Sequence, residues 1–154
     1  MDRVDRIEEL SEAECLRLLS TVPIGRVVYT EHALLRVVPV PFRVEADRRL
    51  LLVLPPDPVA ARTLHGAVAA FQADRLDAPR RAGWSVVLHG RAEVVREPVA
   101  PAELPRPWLE GAEPLVVRLT AELVTGRRLS RKGTAAPAPH AVTGAPREPD
   151  PGAW

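Results

Sequence analysis

Pro39 and Pro41 stand one residue apart inside a run, 33–44, that otherwise reads as a β-strand. A proline has no N–H to give to a ladder, so within a sheet it is confined to an edge, a bulge or a strand end. Any sheet built around this strand must leave a stretch of backbone edge unpaired, and such an edge can face a flat ligand. The preceding run, 24–30, supplies a partner strand, with Glu31-His32 as a tight turn between the two. This edge matters more because the chain carries few side chains that do chemistry unaided.

The flanking segments place it in a fold. Ser11-Glu12-Ala13-Glu14 is a capping box, in which the serine oxygen takes a helix N–H and Glu14 reaches back to the cap. It predicts a helix to about Ser20 with Cys15, Leu18 and Leu19 on one face. Residues 1–10 are charged and expected to be loosely packed. The run 49–54 is continuously apolar and needs cover on both faces. Pro55-Pro56-Asp57-Pro58 ends it and opens a short helix, with Asp57 as N-cap and Pro58 at the first helical position, closing near Gly66. Strands follow at 67–73 and 83–95, separated by a polar loop, 74–82, that carries Arg80 and Arg81. Gly90 marks a bulge or bend. The segment 98–113 is proline-rich, with room for one helical turn, and two last strands are read at 115–119 and 123–129. Strand follows strand more often than helix follows strand, so the fold class is mainly β with short helices, an antiparallel barrel or sandwich. From residue 131 onward the chain is Ala, Pro and Gly with little to bury. The expected division is a folded domain at 1–130 and a disordered or surface-draped tail at 131–154.

Charge and composition narrow the function. A chain of 154 residues favours one domain, and a formal net charge of +1 gives no bulk attraction to nucleic acid, so no nucleic-acid partner is expected. Nor is a membrane: the N-terminus has no apolar signal core, and no run of eighteen apolar residues occurs. Cys15 is the single cysteine and reads as a small buried hydrophobe, which suits a reducing, cytoplasmic setting. His32, His65, His89 and His140 are scattered without partners at ligand spacing, so no metal site is expected. Asp74 and Asp77 sit among arginines and read as ion-pair formers. No nucleophile elbow, phosphate loop or dinucleotide fingerprint appears. No catalytic side chain is named; if the protein is an enzyme, a bound cofactor carries the reaction.

Five segments in order, Ser11 to Leu19, Pro23 to Thr30, Val37 to Phe42, Gly83 to Val95 and Val124 to Leu129, resemble the pyridoxamine 5′-phosphate oxidase-like, flavin-binding split-barrel family. The resemblance implies a six-stranded antiparallel split β-barrel that forms a homodimer, with FMN in a groove at the subunit interface. It implies an FMN-dependent oxidoreductase acting on a small molecule. Carried over position by position, Arg36, Val38, Pro39, Val40, Pro41 and Phe42 match the strand bordering the flavin ring. Trp84 and Ser85 match the start of the long strand beside the groove, and Trp108 matches a Pro-Trp pair that closes over it.

The phosphate end departs from the family pattern. Where the family places Arg-Thr and then Ser or Thr followed by Lys, this chain has Val53-Leu54 and Pro58-Val59. Arg62, one turn into the helix, is the substitute named here, with Arg36, Arg80 and Arg81 as others. The alternative is a divergent split-barrel dimer that has lost FMN and is non-catalytic or binds another planar ligand, a haem or a deazaflavin.

Overall fold

The computed structural model describes residues 5–131. The order is β1 (Asp5–Glu9), α1 (Glu12–Leu19), β2 (Ile24–Glu31), β3 (Leu34–Glu45), β4 (Arg49–Leu54), α2 (Pro58–Leu64), β5 (Val68–Asp77), β6 (Ala82–Val94) and β7 (Leu115–Arg131). Neighbours run β7-β4-β3-β2-β5-β6, and β6 pairs back onto β7, so six strands close a ring in which every pairing is antiparallel. β1 joins from outside, on β7. This is the six-stranded split barrel. Closure removes most of the edges an open sheet would expose.

The split lies at β3. Its ladder with β2 runs the whole hairpin, from Ile24 opposite Pro41 to Glu31 opposite Leu34, but its ladder with β4 covers only Phe42–Glu45. Residues 34–41, the stretch holding both prolines, therefore pair on one side only. β2 pairs with β5 over Arg26–Val28 alone. The tip of the β2–β3 hairpin thus projects as a two-stranded arm. His32 and Ala33 close it with positive φ at both residues, the mirror-image turn that matches strand twist.

Apolar side chains fill the ring. Leu50 to Leu54 are all buried, the double cover that a continuous apolar strand requires. Phe42 and Phe71 pack at 4.7 Å between ring centres, tilted by 59°. α1 closes one end with Cys15, Leu18 and Leu19, and burial raises the pKa of the Cys15 thiol. A Cβ on Gly126 would lie 2.5 Å from Cys15 Sγ, so β7 needs glycine there for the helix to seat. The register shifts between His89 and Gly90: His89 faces Leu123 and Gly90 faces Ala121, so the extra residue is Glu122, on β7. Gly90 makes room for it, since a Cβ there would meet the Thr120 carbonyl at 1.9 Å.

Some sequence expectations shift. β1 is a strand where loose packing is expected; the side chains of residues 6–9 are exposed and backbone pairing with β7 holds it. The two final strands are one, β7, bent at the bulge. β5 continues to Asp77, so most of the polar loop is strand, and 98–113 forms turns without a helix. Asp74 and Asp77 do meet arginines, Arg26 at 4.0 Å and Arg80 at 3.6 Å. The tail from 132 onward lies outside the described residues. No helix among the described residues is long and apolar enough to cross a membrane.

The capping box closes on one side only. Ser11 Oγ accepts the Glu14 N–H at 3.2 Å, but the Glu14 carboxylate turns to Arg17 (2.7 and 2.8 Å) and Arg128 (2.8 Å), tying α1 to β7. Those two guanidiniums hold the Glu14 pKa down to about 2, from 4.5. A lowered carboxylate pKa stabilises the fold above the unfolded value, and that contribution fades as pH falls from 4.5 through about 2. In acid titrations followed by circular dichroism, Glu14→Gln is expected to lose less stability than the wild type across that window; parallel curves would show that the ion pairs contribute nothing.

Candidate functional site: the open edge of strand β3

The pleat sorts β3 into two rows. Val38, Val40 and Phe42 face inward and pack in the core, with Val40 fully buried, so they offer a ligand only backbone. Pro39 and Pro41 face the other way, into a shallow apolar crevice whose cavity volume is only about 20 Å³. Val53, Leu54, Pro55 and Pro56 form its second wall, and Pro107, Trp108, Leu109, Ala112 and Pro114 its roof. Arg43 donates to the Ala102 carbonyl at 3.0 Å, anchoring the roof loop to β3. Trp108 is 58% exposed, an unusual setting for a large aromatic. The walls are aliphatic or pyrrolidine, so the polar groups at hand are those of the unpaired β3 backbone. The Pro55-Pro56 wall and Pro114 are the parts sequence reading missed; a proline pair directly after the apolar 49–54 run was the available signal.

The sequence-named residues do not all gather there. Pro39, Pro41 and Trp108 line one cavity, with Val38, Val40 and Phe42 behind it. Arg36 stands on the arm, 4.0 Å from Glu31. Its cross-strand neighbour is Tyr29, whose pKa is raised by burial and then by the charges of Glu31 and Asp57. Arg62 lies in the last turn of α2, exposed, where its charge complements the helix C-terminus rather than the N-terminal end. Arg80 pairs with Asp77. Trp84 is buried in the core, and the Ser85 hydroxyl lies 3.4 Å from the Gln72 side-chain amide. Both sit at the start of β6, while α2 packs near its far end, where His65 Nδ1 accepts the Val94 N–H at 3.0 Å. About ten residues of strand at ~3.3 Å each separate the two places.

Within one subunit the site offers a flavin a surface to lie against rather than an enclosure. The unpaired edge and the flat apolar walls suit a ring. The phosphate end does not suit a phosphate. Val53 and Leu54 are 2% and 3% exposed, and Asp57 Oδ1 already accepts the first free amides of α2, from Val59 and Ala60, at 3.0 Å each. Placing a dianion against buried aliphatic side chains without donors costs several kcal/mol.

The ring of six strands, split beside β3 and flanked by an exposed tryptophan, defines a split-barrel protein. The pyridoxamine 5′-phosphate oxidase family model matches residues 11–128, and the chain belongs to that family. It is 40% identical over 133 residues to Rv0080, an uncharacterized protein of Mycobacterium tuberculosis, covering 80% of this chain and 86% of that one. Among solved structures, it is similar to an FAD-binding protein from Mycobacterium smegmatis, with a TM-score of 0.62 and 28% identity over 80% of this chain and 98% of that chain. It is also similar to a conserved protein of unknown function, DIP1874, from Corynebacterium diphtheriae, with a TM-score of 0.65 and 30% identity over 79% and 97% of the two chains.

Proposed function

We propose that this chain is a homodimeric, cytoplasmic flavin-binding protein of the oxidoreductase class, which holds the ring of its flavin along the open edge of β3. The observation that carries the reading is the conjunction at residues 34–41: a strand without a second partner, two prolines facing an apolar cavity, and Trp108 above it. The M. smegmatis relative's binding of FAD supports a flavin over other planar molecules. Redox chemistry in this class belongs to the ring, and the protein's part is to bind it, orient it and keep water away. The barrel, 1–130, is the binding unit, with the remaining residues as an appended tail.

Purified protein is expected to take up flavin, seen as visible flavin absorbance retained through gel filtration and as quenched flavin fluorescence on titration. A protein that stays colourless and leaves riboflavin and FMN fluorescence unchanged would remove the flavin reading. A Soret band after incubation with haem would then assign the groove to the second planar ligand, which the phosphate-free, apolar walls favour.

A further inference from the structure

We infer that the groove selects a flat ring without a phosphate at its α2 end, so that riboflavin is a better ligand than FMN. This rests on the flavin reading above and deepens it. Every donor that a phosphate would use at α2 is committed. Pro58 has no N–H, the Val59 and Ala60 amides go to the Asp57 carboxylate at 3.0 Å, and the Ala61 amide goes to the Asp57 carbonyl at 3.0 Å. The helix start therefore presents a carboxylate where the family pattern presents donors and cations.

Nothing nearby reverses that sign. Glu31, at the end of the row Val27-Tyr29-Glu31, has its Oε2 buried without a hydrogen-bond partner, and Arg36 stands 4.0 Å from its other oxygen, so that guanidinium is already matched by a carboxylate. Arg62 is in the last turn of α2, and the strand end that leads to the helix is the buried pair Val53 and Leu54. A dianion here would lose its water and gain a like charge, whereas a neutral ring with a hydroxylated side chain meets neither penalty.

The test is a parallel titration of the full-length protein with riboflavin and with FMN, read by flavin fluorescence. The expected result is riboflavin binding about tenfold more tightly, the scale of a single like-charge contact at a protein surface. Equal affinities for the two ligands overturn the inference, because a phosphate would then carry no penalty at α2. FMN binding more tightly overturns it and leaves the flavin reading standing. Failure of both ligands to bind overturns the flavin reading and this inference with it. Asp57→Asn separates charge from helix stability, because asparagine caps as well as aspartate. It is expected to narrow the difference several-fold with an unchanged melting temperature. A difference that stays the same in this variant overturns the assignment to Asp57.

Discussion

Phe71→Ala is expected to lower the stability of the barrel by about 3–5 kcal/mol, the range for deleting a fully buried aromatic ring. A domain of this kind has only about 5–15 kcal/mol to lose. Phe71 is fully buried and packs on Phe42, and it also explains why β2 carries glycine at 25: a Cβ there would fall 2.1 Å from the ring's Cζ. The ring has little room to retreat, because it is fully buried and Phe42 packs on it at 4.7 Å between ring centres. Gly25→Ala alone is therefore expected to cost about 1–3 kcal/mol through overpacking. The two substitutions touch the same space, so the pair should not add. The alanine methyl at 25 enters the volume that the ring vacates, and the double variant should be more stable than the sum of the singles predicts by about 1 kcal/mol or more. Urea denaturation of the four proteins measures this. Strict additivity would show that Gly25 and Phe71 do not share a contact.

Leu35→Asp combined with Val37→Asp is expected to convert the protein from a dimer to a monomer in light scattering, from twice the 16.8 kDa chain mass to once that mass. Leu35 and Val37 are 75% and 61% exposed, on the same row of β3 as Pro39 and Pro41. They extend the apolar surface of the cavity outward along the projecting arm. An arm with apolar side chains and an unpaired edge is a surface that monomers avoid. A second copy laid across it would cover both, and would complete the groove on the side that one chain leaves open. Two carboxylates on that face would be desolvated on association, a cost large enough to abolish a dimer of ordinary affinity. The substitutions lie outside the core, so the variant should retain its β-sheet circular dichroism. A wild type that runs as a monomer at micromolar concentration would end the dimer proposal.

Much of the fold was legible because its signals are local. Pro39 and Pro41 announced an unpaired edge, Ser11 and Asp57 announced two helix starts, and the unbroken Leu50–Leu54 run announced a strand covered on both faces. β1 was not legible: Ile7 is 65% exposed and its neighbours are charged, so no hydrophobic period marks a strand held by backbone pairing alone. The single long β7 was read as two strands because its apolar pattern breaks at Glu122. Gly90 correctly pointed to the bulge but not to the strand that carries the extra residue, since a glycine marks where space is needed and not what fills it.

The site was half legible for a related reason. The period of two separates Pro39 and Pro41 from Val38, Val40 and Phe42 once the inward face is known, and only the closed ring shows which face that is. Trp84 matched a cofactor-side position by order along the chain, yet within one subunit it packs in the core. Its place along β6 depends on pairings with β5 and β7 that no local pattern encodes. The charge reversal at α2 was visible as missing cations, but the use of Asp57 to occupy both amides required coordinates.

Glu122 has a further effect on β7. Before it, the buried residues are Val117, Leu119 and Ala121; directly after it, Val124 and Gly126 turn inward while Leu123, Thr125 and Arg127 are exposed. One uncounted residue resets the parity of the strand, so both halves turn their apolar side to the interior while the strand bends to close the ring. The chain thereby makes a single continuous strand serve as two differently phased staves, one bonded to β4 and the other to β1, without spending a loop between them.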